Sequence, residues 1–401
     1  MKPQKLQTTY RTKTNKNISI MTSNMKKIEI MLALLCITAF CFSAGCIDSE
    51  NGQSDNGTIT VTDALGRTVT IPDNPEKIAV SGSGALRYFV YLDVDLDRVA
   101  IVDYGDCNAT TTVGDSRPYR IAHPEMLEIP SLGPACSKVD AESLMASGAE
   151  VLFLSTFTAN IENANEIQEK TGIPVVMFYT GDYVTDADKI QDTFRMIGTI
   201  FHKQERTESL INYFDAIEKD LQSRVPDVPD DEKPTVYIAG VSYRGGHGID
   251  GTNPYYYPFA VLEANNVAGN VNGSESIGYV QVAKEQILDW NPDIIFVDLS
   301  TLNAANGGAI AELKNDPSYK ELTAVKTGQV YAVNPHTFYV VNYETTLANA
   351  YYIGTILYPE TFSDIDPAAK ADEIYTFVDG SPVYEKLKAN REGLSYQKLE
   401  I

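Results

Sequence analysis

Val139 to Ser155 reads V-D-A-E-S-L-M-A-S-G-A-E-V-L-F-L-S, and Val282 to Asp298 reads V-A-K-E-Q-I-L-D-W-N-P-D-I-I-F-V-D. The two segments align without a gap. Val, Glu and Phe are identical, and the apolar positions match in kind. Each copy reads as a short helix with one Glu near its start, followed by an unbroken apolar run. Such a run is the pattern of a parallel strand buried on both faces. The chain therefore carries a duplicated α/β lobe with one matched acid in each half, Glu142 and Glu285. That arrangement points to a two-lobed clamp that docks symmetrically on a two-fold partner.

Working outward, Lys77–Val80 and Arg98–Tyr104 read as strands before the first repeat, with Ser81–Gly84 as a turn opening a helix through Leu92. A long loop runs from Gly105 to Pro134. Helix Ile161–Thr171 and strand Pro174–Tyr179 follow the repeat. Ile190, Phe194, Ile197 and Phe201 step along one helical face, as do Leu210, Phe214, Ile217 and Leu221. Pro226 and Pro229 stop the second of these helices, which is charged outside its stripe. The second half repeats the alternation: strand Thr235–Val241, helix Tyr255–Asn265, the repeat, strand Val330–Val333 and helix Glu344–Leu357. Strands alternating with helices call for parallel sheets. The expected fold is α/β, two Rossmann-like lobes joined by a single long bridging helix. The expected boundaries are 58–202 for the first lobe, 203–225 for the bridging helix and 233–401 for the second lobe.

The N-terminus reads as a targeting segment over residues 1–45. Lys26-Lys27 precede an apolar run from Ile30 to Phe42, and Ser43-Ala44-Gly45 leads to Cys46. The run is shorter than the about 20 residues of a membrane-spanning helix. Small residues before a Cys are similar to a lipobox, with Ser43 where an aliphatic is usual, so Cys46 is the expected lipid-bearing residue. The start of translation falls at Met1, Met21 or Met25. Residues 46–57 are polar and Gly-rich, a tether off the membrane. Cys107 and Cys136 remain in the exported part. They are read as a disulfide, as two buried thiols or as sulfur ligands.

The net charge of −22 and pI near 4.5 exclude a nucleic-acid footprint. Catalytic signatures are missing: there is no G-x-S-x-G, H-E-x-x-H or G-x-x-x-x-G-K-[ST]. His123, His202, His247 and His336 form no metal-ligand spacing, so no resident metal or cofactor is expected. The loops after the strands are instead rich in aromatic and Arg residues, and open α/β sheets bind ligands at those strand ends. Ser83, Arg87, Tyr104, Arg117, Tyr119, Tyr243, Arg244, His247, Tyr279 and Tyr339 are the candidate ligand contacts, with Phe338 and Tyr343 beside them. Tyr supplies an apolar face with a polar tip, and Arg a fork for anions. The set suits a bulky, partly aromatic, partly anionic ligand.

From Ile59 to about Phe377 the chain resembles the substrate-binding proteins of ABC importers for ferric siderophores, haem and cobalamin. The resemblance rests on Val61-Thr62-Asp63-Ala64-Leu65-Gly66-Arg67 with Ile71-Pro72, and on Lys77-Ile78-Ala79. Ser131-Leu132-Gly133 and Trp290-Asn291-Pro292-Asp293 complete it. It implies a non-catalytic, lipid-anchored receptor on the extracytoplasmic face, expected to be a monomer. Glu142 and Glu285 would dock on Arg residues of a permease dimer that works with an ATPase. It implies a metal chelate as ligand. Pro134-Ala135-Cys136 stand where haem binders carry a Tyr, and Trp290 is the only Trp. A ferric siderophore is therefore the first expectation, ahead of a corrinoid or haem. A surface chelatase-like enzyme is the competing reading of another class.

Overall fold

The structure is a computed structural model. It describes residues 57–401 except Ser83, 109–113, 134–137 and 273–277, and of 183–185 only the helical backbone. Cys46, Ser83 and Cys136 lie outside the described residues.

The described chain opens with an antiparallel hairpin, β1 (Thr58–Thr62) and β2 (Thr68–Pro72). The first sheet follows: β3 (Ile78–Ser81), β4 (Val99–Val102), β5 (Val151–Ser155) and β6 (Val175–Phe178). Its order is β4-β3-β5-β6, and every pair is parallel. The second sheet is built from β7 (Thr235–Ala239), β9 (Asn265–Asn266), β11 (Ile294–Asp298) and β12 (Val330–Val333), in the order β12-β11-β7-β9. Read from the other edge this is the order of the first sheet, again all parallel. The two-residue strands β8 (Gly251–Thr252) and β10 (Val280–Gln281) pair with each other, as do β13 (Thr337–Phe338) and β14 (Val340–Val341). The α/β fold with two parallel-sheet lobes is as expected. The 21-residue helix Gln204–Arg224 connects them, its Leu210, Phe214, Ile217 and Leu221 stripe buried.

The repeat read from the sequence is a repeat of physical devices. The central strands β5 and β11 are buried at every position. Helix Ala141–Ser147 ends at Gly148 in the left-handed conformation, φ 71°. Helix Lys284–Trp290 ends at the matched Asn291, φ 40°. Gly and Asn are the residues that accept this capping geometry. Two positions later, Glu150 takes the N–H groups of Glu76 and Lys77, and the matched Asp293 takes the N–H and hydroxyl of Thr235. Each acid thus ties the start of the central strand to its neighbour. The N-caps differ: Asp140 bonds the N–H groups of Glu142 and Ser143, whereas the matched Ala283 offers no side-chain cap.

Three expectations are corrected. Helix Tyr255–Asn265 shortens to Tyr257–Val261. Glu263, at φ 48°, turns the chain out of the helix, and Asn265–Asn266 become edge strand β9. The Gly105–Pro134 loop contains the short helices Tyr104–Cys107 and Pro118–Ala122, the latter opened by its proline. The C-terminal segment serves both lobes: helix Pro367–Asp379 lies on helix Tyr343–Leu357 of the second lobe, and Gln397 and Leu399 bond β12. Helices Pro367–Asp379 and Tyr384–Ala389 pack on Arg87–Tyr91 and Pro118–Ala122 of the first. His123 Nε2 meets Asp379 O at 3.0 Å, and Asn390 donates to Asp115 O at 2.9 Å. The largest core cluster accordingly runs through both lobes, from Val61 to Tyr396.

The capping geometry gives a test. A Cβ at Gly148 would meet only Lys77 Nζ, at 4.0 Å, so a substitution there acts through the backbone alone. Gly148→Ala is expected to lower stability by about 1–2 kcal/mol. Gly148→Asn, which copies the second lobe, should cost less. Urea unfolding midpoints measure both.

Candidate functional site

The expected ligand residues fall into two groups. Arg87, Arg117 and Tyr119 are sealed inside the protein, at 0%, 1% and 0% exposure. The Arg87 fork is spent on Gly84 O at 2.8 Å, on Phe338 O at 3.3 Å and on Val341 O. It thereby fastens the first lobe to the β13–β14 hairpin of the second. Gly84 makes the approach possible: it has φ 78°, and a Cβ there would lie 3.0 Å from Arg87 Nη2 and 3.2 Å from Val340 Cγ2. Arg117 is paired with Asp115 at 2.8 Å, donates to Gly105 O and Asn108 O, and lies under the rings of Phe338 and Tyr339. Tyr119 donates to Asp106 at 2.6 Å. These three side chains position the cleft wall and are not open to an incoming anion. Sequence placed them correctly after their strands but could not reveal the distant carbonyls that occupy them.

The second group is accessible. Tyr243 is 37% exposed and stacks on Tyr279, ring centres 5.0 Å apart and 24° from parallel. His247 packs against Tyr279 at 4.8 Å. Its Nε2–H donates to Tyr243 O at 2.7 Å, and its Nδ1 takes the Tyr279 hydroxyl at 3.0 Å. Both ring nitrogens are engaged, so His247 orients the wall. The exposed Arg244 sits over the Tyr243 ring at 5.3 Å. Burial and Asp250 push the Tyr279 hydroxyl up to about 12, so it stays a neutral phenol at pH 7. Tyr339, 37% exposed, tips the β13–β14 hairpin, and Tyr104 is half-buried at the end of β4. Arg244 and Tyr339 hold left-handed backbone, φ 53° and 66°. For bulky side chains this is strain of about 1–3 kcal/mol, of the kind found at functional sites.

On the bridging-helix side lies a recess of about 460 Å³, counting its space open to solvent. Phe214 of the bridging helix, Asn253, Tyr257, His336, Val341, Tyr343 and Leu347 line it. Apart from Tyr343, sequence reading missed these residues as ligand candidates. The signal available was the run Asn253-Pro254-Tyr255-Tyr256-Tyr257-Pro258 after a strand, together with His336 just beyond β12. Tyr343 closes one wall by donating to Gly181 O of the first lobe at 2.6 Å.

Glu142 and Glu285 are both exposed in the first turns of their helices, and neither is in an ion pair among the described residues. Cys107 is a half-buried free thiol within 3.7 Å of Asp103 O and Tyr104 O. Among the described residues no helix is long and apolar enough to cross a membrane.

With this geometry in view, residues 120–337 match the periplasmic binding protein family model, and the chain belongs to that family. It is 25% identical over 334 residues to the molybdate-binding protein MolA of Haemophilus influenzae, covering 79% of this chain and 89% of that one. It is 23% identical over 337 residues to the iron(3+)-hydroxamate-binding protein FhuD of Bacillus subtilis, covering 80% and 94%. A periplasmic solute binding protein from Veillonella parvula superposes with a TM-score of 0.63 at 20% identity, over 82% of this chain and 95% of that one. The protein is a solute-binding component of an ABC importer, a binding protein and not an enzyme, acting on the extracytoplasmic side.

The cleft wall carries a pH signature. Burial raises the Asp106 carboxyl to about 6, against the Tyr119 hydrogen bond and the charge of Arg117, which pull it down. The folded state therefore holds this proton more tightly than the unfolded chain does. Its contribution to stability is present below about pH 4 and is lost as pH rises through 6. Asp115 tilts the other way: burial opposes its ionisation, but Arg117 and Arg120 outweigh that and hold it low. Asp106→Asn is expected to flatten the pH 4–6 part of the stability profile, read from denaturation midpoints across that range.

Proposed function

We propose that this protein captures a metal chelate, a ferric siderophore first, between its lobes and delivers it to the permease. The observation that carries the reading is the accessible Tyr243–Tyr279–His247 wall with Arg244 over its face. It stands beyond the carboxyl ends of the second sheet, where such folds take ligands. Flat aromatic surface with one exposed cation suits a bulky ligand carrying negative charge. An iron-hydroxamate-binding relative supports the class. A corrinoid or haem would use the same wall.

A small oxyanion is the second reading, favoured by the molybdate-binding relative. Against it, the two buried arginines are already occupied by carbonyls and by Asp115. Lipid on Cys46 with the 46–57 tether would hold the receptor, as a monomer, at the membrane. Glu142 and Glu285 would meet cationic side chains of the permease dimer, one per lobe, and a docked interface that excludes water strengthens such pairs. Their exposure and matched helix positions support this.

Calorimetric titration with a ferric hydroxamate, a ferric catecholate, cyanocobalamin, haemin and molybdate tests the ligand class. A ferric chelate should bind tightest. Tyr279→Ala, which removes an aromatic contact worth about 1.5–3 kcal/mol, should weaken it roughly 10- to 150-fold. Saturation by molybdate with no chelate binding would overturn the reading. For docking, Glu142→Ala with Glu285→Ala should leave ligand affinity unchanged and abolish uptake and ATPase stimulation. Normal uptake would remove both acids from that role.

A further inference from the structure

Helices Pro367–Asp379 and Tyr384–Ala389 form a strap that returns to the first lobe, and the first of them ends there at Asp379. This residue is 1% exposed, and among the described residues neither oxygen of its carboxyl has a hydrogen-bond partner. Glu344 of helix Tyr343–Leu357, Arg87 and Tyr91 of the first lobe, Arg206 of the bridging helix and Tyr375 one turn back all act on it electrostatically. Neither arginine bonds it. The three Arg87 nitrogens go to carbonyls, and Arg206 donates to Tyr91 O and Phe377 O and pairs with Asp93 at 3.3 Å. The Tyr91 hydroxyl goes to Glu344, whose Oε1 is also unpartnered among the described residues. An ionised carboxyl here would be buried with neither a hydrogen bond nor a direct ion pair, a state protein interiors avoid by neutralising the group. Burial and then Glu344 hold the Asp379 carboxyl well above its ordinary range, against the pull of Arg87 and Arg206.

The backbone of the same residue makes a second contact that needs a proton. Asp379 O, at the end of the helix, is met by His123 Nε2 at 3.0 Å, while His123 Nδ1 meets Glu125 Oε1 at 2.9 Å. A carbonyl and a carboxylate can only accept. The ring serves both only with a proton on each nitrogen, as imidazolium, and a cation is favoured at a helix C-terminus. The His123 side chain is 30% exposed, so solvent can deliver and remove that proton. The other charges nearby are engaged elsewhere: Arg117 and Arg120 pair with Asp115, Lys370 with Glu373, and Asp372 takes the Tyr384 N–H.

We propose that the C-terminal strap is fastened to the first lobe by two protons, one on the Asp379 carboxyl and one that makes His123 an imidazolium, and that it loosens as pH rises. For Asp379, the contribution to stability is complete below about pH 4 and is lost as pH climbs through its raised folded-state value. Loss of the imidazolium proton leaves either Glu125 or Asp379 O without its donor, so both steps act in the same direction. The strap also bears on the cleft wall. Asn390 donates to Asp115 O and Arg391 to Gly114 O, and Asp115 is the partner of the Arg117 that lies under Phe338 and Tyr339. Loosening therefore frees the backbone that carries this wall, whichever ligand the cleft takes.

Hydrogen exchange tests the device. Protection of the amides of 367–390, corrected for intrinsic rates and measured against those of β11, should fall roughly 10- to 150-fold between pH 6 and pH 9. Asp379→Asn keeps the neutral form at every pH, and His123→Gln keeps one donor for Asp379 O. The double variant should show flat protection. Flat protection in the wild type, or an undiminished fall in the double variant, overturns the proposal. Should the double variant fail to fold, carboxyl carbon-13 spectra of aspartate-labelled wild type decide. At pH 8 one aspartate must remain at its neutral-acid position, and a spectrum in which every aspartate reads as carboxylate overturns the proposal.

Discussion

The two-lobed arrangement depends on one buried cation. Arg87 has no access to water, so its guanidinium needs acceptors inside the protein, and each of its three nitrogens finds one, in its own turn or in a hairpin more than 250 residues away. A buried donor left without a partner costs about 1–3 kcal/mol, more when charged. The lobes therefore cannot part at this seam without stranding the guanidinium. Neighbouring contacts share the load: Tyr88 to Tyr343, Tyr91 to Glu344, and Arg206 of the bridging helix to Tyr91 O and Phe377 O. Burial pushes the Glu344 carboxyl up although Arg87 pulls it down, so the cation moderates a second buried charge on the same seam. Beside this fixed seam lie the more exposed Tyr243–Tyr279 wall and the recess.

The fold was legible because it is written in local signals. Glycine and asparagine sit at the two helix ends, an acid stands before each central strand, and the single apolar stripe of the bridging helix runs over Gln204–Arg224, within one residue of its expected limits. These features act over a few residues, and a sequence displays them directly. The site was half legible. Tyr243, Arg244 and Tyr339 are exposed, and Tyr279 is half-buried between Tyr243 and His247, so the accessibility of these strand-end loops could be anticipated from local sequence. Arg87 and Arg117 sit in equally plausible loops, yet their partners come from remote backbone. His336 was passed over for the converse reason: its partner Asp298 is 38 residues away, at the end of a strand that reads as purely apolar.

The duplicated halves also show how a binding protein separates scaffold from chemistry. The strand order, the left-handed helix ends and the strand-tying acids are kept in both lobes, because each solves a backbone problem that both sheets share. At the ends of the central strands the constraint relaxes, and Ser155 with Thr180 gives way to Asp298 with His336. The aromatic wall likewise belongs to the second lobe alone.

The return of helices Pro367–Asp379 and Tyr384–Ala389 to the first lobe has a consequence for biogenesis. The first lobe's Asp115 carbonyl and His123 ring find their partners in Asn390 and Asp379, more than 250 residues further along the chain. Its core includes Tyr375, Val378 and Leu387. A ribosome adds residues one at a time, and early domains ordinarily fold while later ones are still being made. Here the early lobe lacks part of its interior until Tyr375, Val378 and Leu387 have been made. The two lobes of this protein therefore complete their interiors together, not one after the other.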